Sequence, residues 1–85
     1  MVSNYLREKR IAAGLSQGQV AEELGYSSPQ FVSNWERKLS MPPPYAVKKL
    51  AKLYGLDFKE LQKLYIESEV QRTVRDLEKR FAKAV

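Results

Sequence analysis

Cysteine and histidine are both missing from this sequence of 85 residues. Without cysteine there can be no disulfide framework, no thiolate metal site and no cysteine nucleophile. Without histidine the chain also lacks the usual general base and a usual zinc ligand. We therefore expect no enzymatic activity, no bound metal and no cofactor.

Long apolar runs are missing as well. No stretch approaches the roughly 20 apolar residues that span a bilayer, and the N-terminus has no apolar signal core. A chain of this length is large enough for one core and too small for a second module with its own active-site cleft. The sequence therefore predicts one soluble, intracellular domain that does not contact membranes.

Positive charge is in excess. The sequence has 15 Lys and Arg against 10 Asp and Glu, a net charge of +5, and a pI of about 9.6. This balance favours a polyanionic partner, and most of the excess falls within residues 1–65. Five lysines on the later amphipathic helices are interpreted as a solvated face rather than a second basic patch: Lys48, Lys49, Lys52, Lys59 and Lys63.

The spacing of apolar residues predicts an all-α chain, because they recur at three- and four-residue steps and never alternate as in strands. Glycine and proline divide the pattern into five helices. The first, second and fourth helices are expected to end at Gly14, Gly25 and Gly55. The expected N-caps are Ser3 or Asn4, then Ser16, then Ser28 before Pro29, and finally Asp57 in a capping box with Glu60.

The third helix is expected to run from Pro29 to about Arg37. Val32 and Trp35 lie three residues apart and face the core, while Tyr26 packs against the first turn. Phe31 has two interpretations, a core residue beside Trp35 or a ring offered to a thymine methyl group, and we expect the core.

A run of three prolines follows this helix. Pro42, Pro43 and Pro44 forbid helix and favour an extended crossing to the fourth helix.

The second and third helices, joined at Gly25, form the arrangement in which the later helix of the pair enters the major groove of DNA. Amide side chains can bond adenine with two hydrogen bonds, and arginine can bond guanine in the same way. The residues expected to read bases are Ser28, Pro29, Gln30, Ser33, Asn34 and Arg37.

Short groups of residues at fixed intervals resemble the Cro and phage-repressor (Xre-type) helix-turn-helix family. These groups are Gly14-Leu15-Ser16-Gln17, Val20-Ala21, Leu24-Gly25, Val32-Ser33, Glu36-Arg37, Leu50-Ala51, Gly55-Leu56 and Glu60-Leu61. The resemblance covers about residues 3 to 65. It implies a five-helix domain that binds operator DNA, usually as a dimer on a palindrome. Two features depart from the family: the turn from Gly25 to Val32 is one residue longer than in its shortest members, and Lys38 replaces the glycine usually found after the third helix.

The resemblance also implies roles for single residues. Gln17 would contact a phosphate from the first turn of the second helix; the alternative is an exposed residue at the helix start. Lys38 and Ser40 follow the third helix and resemble clamps on the DNA backbone; the alternative for Lys38 is a solvated side chain. Arg10 and Glu36 would form a structural ion pair. The full set expected on phosphates is Ser16, Gln17, Ser27, Lys38 and Ser40.

Beyond Tyr65 the apolar spacing changes to a heptad seam of Val70, Val74, Leu77, Phe81 and Ala84. This seam can pair with a second copy of the chain or pack back on its own domain. We expect pairing. The sequence therefore predicts a DNA-binding domain over residues 1–65 and a C-terminal dimerisation helix over residues 66–85.

Together these features predict a homodimeric transcriptional regulator of double-stranded DNA, a repressor by analogy with the family. It would be cytoplasmic, associated with the nucleoid, and without an evident small-molecule ligand. Two alternatives stay open: a protein-interaction module without specific DNA binding, and an antitoxin-type regulator whose tail binds a protein partner.

Overall fold

The computed structural model describes residues 2–84, which form five α-helices and no strand. Met1 and Val85, the outer ends of the two predicted segments, lie outside the described residues. The helices are α1 (Val2–Ala12), α2 (Gln17–Glu23), α3 (Gln30–Glu36), α4 (Pro44–Leu53) and α5 (Phe58–Lys83). The predicted all-α fold, with five helices and an extended last helix, is confirmed.

The start of α1 differs from the prediction. Ser3 already lies inside the helix and is buried, so neither Ser3 nor Asn4 is the N-cap. The backbone N–H of Val2 instead donates to the hydroxyl of Ser68 in α5, at 3.2 Å. The first helix therefore satisfies an otherwise unpaired donor through a tertiary contact, which no local sequence pattern specifies.

Local capping governs the start of α2. The Ser16 hydroxyl accepts the backbone N–H of Gln19 at 3.0 Å, and the backbone N–H of Ser16 donates to the Gln19 side chain at 2.8 Å. This reciprocal capping box satisfies two backbone donors. The predicted cap at Ser16 is confirmed.

The starts of α3 and α5 follow the prediction less closely. α3 begins at Gln30, one residue late, and Ser28 approaches the Gln30 N–H only at 3.4 Å. Asp57 caps α5 by accepting the N–H groups of Lys59 and Glu60 at 2.8 and 3.2 Å. Among the hydrogen bonds of residues 2–84, none returns from the Glu60 side chain, so only half of the predicted box forms.

Pro44 was expected in an extended crossing, but it is the first residue of α4. Proline suits that position because the N–H it lacks would have no partner within the helix, and its φ is already helical. Pro43 keeps an extended conformation as the N-cap. Tyr65 donates its hydroxyl to the carbonyl of Pro42 at 2.8 Å, which holds the segment before α4 against α5.

The core is formed by one face of each of the first four helices and the start of α5. Val32 and Trp35 of α3 are buried in it, as the spacing predicts. In α5 only Leu61 is fully buried, while Leu64 and Tyr65 pack at the edge. The buried apolar residues are Val2, Leu6, Val20, Ala21, Leu24, Val32, Trp35, Ala46, Val47, Leu50, Ala51, Tyr54 and Leu61.

α5 continues for 26 residues without a break. It crosses the boundary expected after Tyr65, and Ser68 beyond that point still contacts α1. From Val70 to Ala84 every residue is exposed, including the whole predicted seam. The seam therefore does not pack back on its own domain. No helix within residues 2–84 has the length and apolarity required to cross a membrane.

Candidate nucleic-acid interface

Aromatic packing sets the orientation of α3 relative to α2. The Tyr26 ring lies 5.0 Å from the Phe31 ring and meets the Trp35 ring edge-on at 5.9 Å between centroids. The Tyr26 hydroxyl is 2.6 Å from that of Tyr45, and burial together with this hydrogen bond raises the pKa of Tyr26 to about 12. These contacts turn the Val32 and Trp35 side of α3 inward and leave its polar side outward.

The outward side of α3 has a row of three hydrogen-bonded polar side chains. Gln30 donates its amide to the Asn34 side-chain oxygen at 2.9 Å, and Arg37 donates to the same oxygen at 3.1 Å. One acceptor thus orients two donors, one a turn before it and one a turn after it. The Asn34 amide nitrogen and the Gln30 amide oxygen remain available for a ligand.

The other three residues expected to read bases flank this row. Ser28 and Pro29 are exposed immediately before α3, and Ser33 is half-buried within it. All six therefore lie on α3 or at one of its two ends. Ser33 and Asn34 are half-buried, whereas the other four are exposed.

Phe31 is not a core residue, contrary to expectation. Its side chain is 54% exposed, because Val32 and Trp35 already fill the space beneath α3. The ring packs on the outer side of Tyr26 instead. Phe31 consequently adds an apolar group to the surface beside Gln30.

A buried ion pair connects the helices behind this surface. Arg10 donates to both carboxylate oxygens of Glu36, at 2.7 and 2.9 Å, and also to the Leu15 carbonyl at 2.8 Å. Gln17 donates its side-chain amide to the same carboxylate at 3.1 Å. The hydrogen bond to Glu36 raises the pKa of Arg10, against the opposing effect of burial. Glu36 therefore joins α1, the start of α2 and the end of α3.

The residues expected on phosphates lie at three places. Ser16 and Gln17 are at the start of α2, and each already makes one side-chain hydrogen bond. The Ser16 hydroxyl accepts one in the capping box, and the Gln17 amide donates one to Glu36. Each keeps one donor hydrogen for another partner. Ser27 is exposed in the turn, while Lys38 and Ser40 follow α3 and line a cleft against α5.

Lys38 has a left-handed backbone conformation, with φ of 66°. Among residues 2–84 it is the only residue other than glycine with a positive φ. The backbone at this position thus keeps the conformation that a glycine would favour, although the side chain is that of lysine.

Several contributing residues were missed in the sequence. Gln19 completes the cap of α2, and the Ser-x-x-Gln spacing would have indicated it. Ile66 is exposed four residues before Val70 and lengthens the seam by one position. Three basic residues of α5 that line the cleft were not singled out, although their spacing of three and four places them on one face: Arg72, Arg75 and Lys79.

No cluster of three or more potential metal-ligating side chains occurs in the described part of the chain. A family model described as helix-turn-helix matches residues 6–61, about two thirds of the sequence. The match begins in α1 and ends in the first turn of α5, so it includes α2, α3 and the turn between them. No significant match was found among curated proteins or among solved structures.

Proposed function

Because the chain belongs to the helix-turn-helix family of the Cro and phage-repressor type, we propose that it represses transcription by binding a specific duplex site as a homodimer. The family consists of DNA-binding transcription regulators.

The observation that carries the proposal is the polar row on α3. In the proposed complex α3 enters the major groove and presents Gln30, Asn34 and Arg37 to the base edges, with Ser28, Pro29 and Ser33 beside them. An amide pairs well with adenine and a guanidinium with guanine, and each such pair contributes about 1–3 kcal/mol of discrimination. Mutual hydrogen bonding holds the row in place before DNA arrives, so less side-chain freedom is lost on binding.

Phe31 extends this reading surface in the proposal. Because its ring is exposed beside Gln30, it can contact a thymine methyl group in the groove.

Phosphate contacts would fix the register of α3 on the duplex. Gln17 is oriented by Glu36 and has a spare N–H for a phosphate oxygen. Ser16, Ser27, Lys38 and Ser40 would contribute further backbone contacts from the two sides of α3. Such contacts supply affinity without sequence preference.

The proposed dimer uses the seam of α5. Val70 and Val74 are 56% and 49% exposed, Leu77 is 45% and Phe81 is 73% exposed, and Ala84 is exposed as well. Burying one Leu or Phe side chain contributes about 1.5–3 kcal/mol, so several from each copy offset part of the association free energy. Repression would follow from occupying a site that polymerase needs, a role carried over from the family.

The test begins with selection of bound duplexes from a random pool, which gives the preferred site. Asn34→Ala and Gln30→Ala should then each weaken binding to that site by about 1–3 kcal/mol while nonspecific binding and thermal stability stay nearly unchanged. Gln62→Ala, on the exposed side of α5, is the matched control. If no site is enriched, or if Asn34→Ala mainly lowers stability, the proposed reading mode is wrong.

A second candidate function follows from the same exposed seam. In an antitoxin-type regulator this face would bind a protein partner instead of a second copy. Sedimentation of the isolated protein separates the two: a dimer at micromolar concentration supports the homodimer, and a monomer supports the protein partner.

A further inference from the structure

A cleft of about 360 Å³ lies between the end of α3 and the second half of α5. Its basic side chains come from both sides: Lys38 from the segment after α3, and Arg72, Arg75 and Lys79 from α5. Ser40 adds a hydroxyl, and Asp76 is the one carboxylate among the lining residues. From these features we infer that the cleft binds a phosphate group, separately from the reading surface of α3.

The walls of the cleft are held by specific tertiary contacts. The hydrogen bond from Val2 to Ser68 holds α1 against α5 at one end. The hydrogen bond from Tyr65 to Pro42 holds the segment after α3 against α5. The basic residues of α5 therefore face Lys38 across a gap of defined shape.

The basic side of α5 faces the cleft, and its apolar seam lies on the opposite side. An α-helix turns by about 100° per residue, so Arg72, Arg75 and Lys79 share one side. Val74 is two residues from Arg72 and consequently points in nearly the opposite direction. The apolar seam thus faces away from the cleft, and the helix directs its basic side toward its own domain. Leu61, buried in the core at the start of α5, lies eleven residues before Arg72 and therefore on the same side of this unbroken helix.

Lys38 supplies an independent observation. α1 to α4 end in the same way, with paired hydrogen bonds from the second and third residues after the helix back to its last turn. Glycine takes the left-handed position at Gly14, Gly25 and Gly55, whereas lysine takes it after α3. A side chain in this conformation is strained. A strained lysine whose side chain lines a cationic cleft indicates that the positive charge has a use there.

Nearby carboxylates neutralise only part of the positive charge of the cleft. Arg72 lies 3.6 Å from Glu69, an exposed pair that contributes little and leaves most of the guanidinium free. Asp76 offsets one of the four cations. The remaining positive charge suits a phosphate, whose oxygens accept hydrogen bonds from guanidinium and ammonium groups.

Two sources could supply the phosphate: the backbone of a bound duplex, or free phosphate in solution. Lys38 directly follows the reading helix, so a duplex bound there would bring its backbone toward the cleft. The possibility that the cleft binds a DNA phosphate rests on the proposed function and deepens it, because α5 would then add contacts to the DNA. The possibility that it binds free phosphate is independent of DNA binding.

The experiment compares the wild type with the triple variant Arg72→Gln, Arg75→Gln, Lys79→Gln. The matched control, Lys48→Gln, Lys59→Gln, Lys63→Gln, removes the same charge from exposed positions elsewhere. Glutamine is a good helix former, so both variants should keep α5. Duplex affinity is measured at several salt concentrations, and melting temperature is measured with inorganic phosphate against chloride at equal ionic strength.

For a DNA phosphate, the cleft variant should lose about two to three units of salt slope, whereas the control loses less than one. For free phosphate, the slopes of the two variants should match, and phosphate should raise the melting temperature of the wild type and the control but not of the cleft variant. The inference is overturned if the slopes match and phosphate does not distinguish the proteins. A wild type that binds no duplex would refute the proposed function, while the phosphate measurement would still test the cleft.

Lys38→Gly provides a second test. Removing the strain should raise the melting temperature, while losing the charge should lower the salt slope by about one unit. A more stable variant with an unchanged slope and unchanged response to phosphate would overturn the role of Lys38.

Discussion

Glu36 is the residue at which α1, α2 and α3 meet. It is almost completely buried and accepts hydrogen bonds from Arg10 and Gln17. A buried charge is stable only when it is paired, so each partner depends on the other. The position of Gln17 at the proposed DNA surface thus depends on a carboxylate beneath it.

Glu36→Ala should lower the free energy of unfolding by about 3–5 kcal/mol, because it leaves the Arg10 guanidinium without its charged partner. Urea unfolding measures the change. Glu22→Ala, which removes an exposed glutamate from α2, is the control and should change stability by about 0.5 kcal/mol or less. The apolar double variant Arg10→Met, Glu36→Leu should recover much of the loss. Equal effects of Glu36→Ala and Glu22→Ala would contradict this account.

Tyr54 gives the protein a sensitivity to alkaline pH. Burial raises the pKa of Tyr54, and the nearby Glu36 carboxylate raises it further. The folded state therefore keeps the phenolic proton at a pH where an unfolded tyrosine, with a pKa of about 10, has lost it. The contribution of protonated Tyr54 to the free energy of unfolding is therefore fully present below about pH 10 and decreases as the pH rises above that value.

Tyr54→Phe should remove this contribution. The wild type is expected to lose stability relative to the variant as the pH rises from about 10, and thermal melts between pH 8 and 11 would measure the difference. Parallel curves for the two proteins would show that Tyr54 does not ionise on unfolding in this range.

Among the helices, α5 combines two environments in one continuous element. Its first two turns belong to the core, whereas the residues from Val70 onward have no covering layer within the described chain. The part of α5 from Val70 onward is short enough that it would be only marginally helical by itself in water. Its helicity therefore depends on a partner that covers the seam. In the proposed homodimer, helicity and dimerisation are therefore coupled.

Leu77→Asp and Phe81→Asp should each convert the proposed dimer to a monomer, because a carboxylate in the seam would be buried without a partner. Sedimentation across a range of concentrations measures the change, and circular dichroism should show a parallel loss of helicity. Gln71→Asp adds the same charge to a side of α5 away from the seam and should leave the dimer intact. If both seam variants remain dimeric, another surface makes the interface.

For the whole molecule, the proposed dimer presents two reading helices to one face of the duplex. Helix-turn-helix dimers of this kind contact half-sites about one turn, or 34 Å, apart. The two-fold symmetry of the protein should then appear as an inverted repeat in its site.

Inserting five base pairs at the centre of the selected site should reduce affinity to that of a single half-site, because one half-site rotates to the far side of the helix. Electrophoretic mobility shift measures the change. A duplex with altered central bases but unchanged length is the control and should bind nearly as before. Equal binding to both duplexes would show that the copies bind independently.

Some features could be predicted from local sequence because their causes lie within a few residues. The caps at Ser16 and Asp57 depend on side chains that bond their own backbone neighbours. The inward faces of the helices follow from apolar periodicity, as Val32 and Trp35 show. The family resemblance added the overall arrangement of α1 to α5.

Other features were decided only when distant segments packed together. The start of α1 depends on Ser68, sixty-six residues away, and Phe31 is exposed because its neighbours already fill the core. The rotation of α5 about its axis places Arg72 opposite Lys38. That rotation depends on the hydrogen bonds of Tyr65 with Pro42 and of Ser68 with Val2. Local sequence determined the existence of the helices and the caps of α2 and α5, because those hydrogen bonds close within one turn. The tertiary structure decided which helix faces meet, because that depends on how all the side chains fill one shared volume.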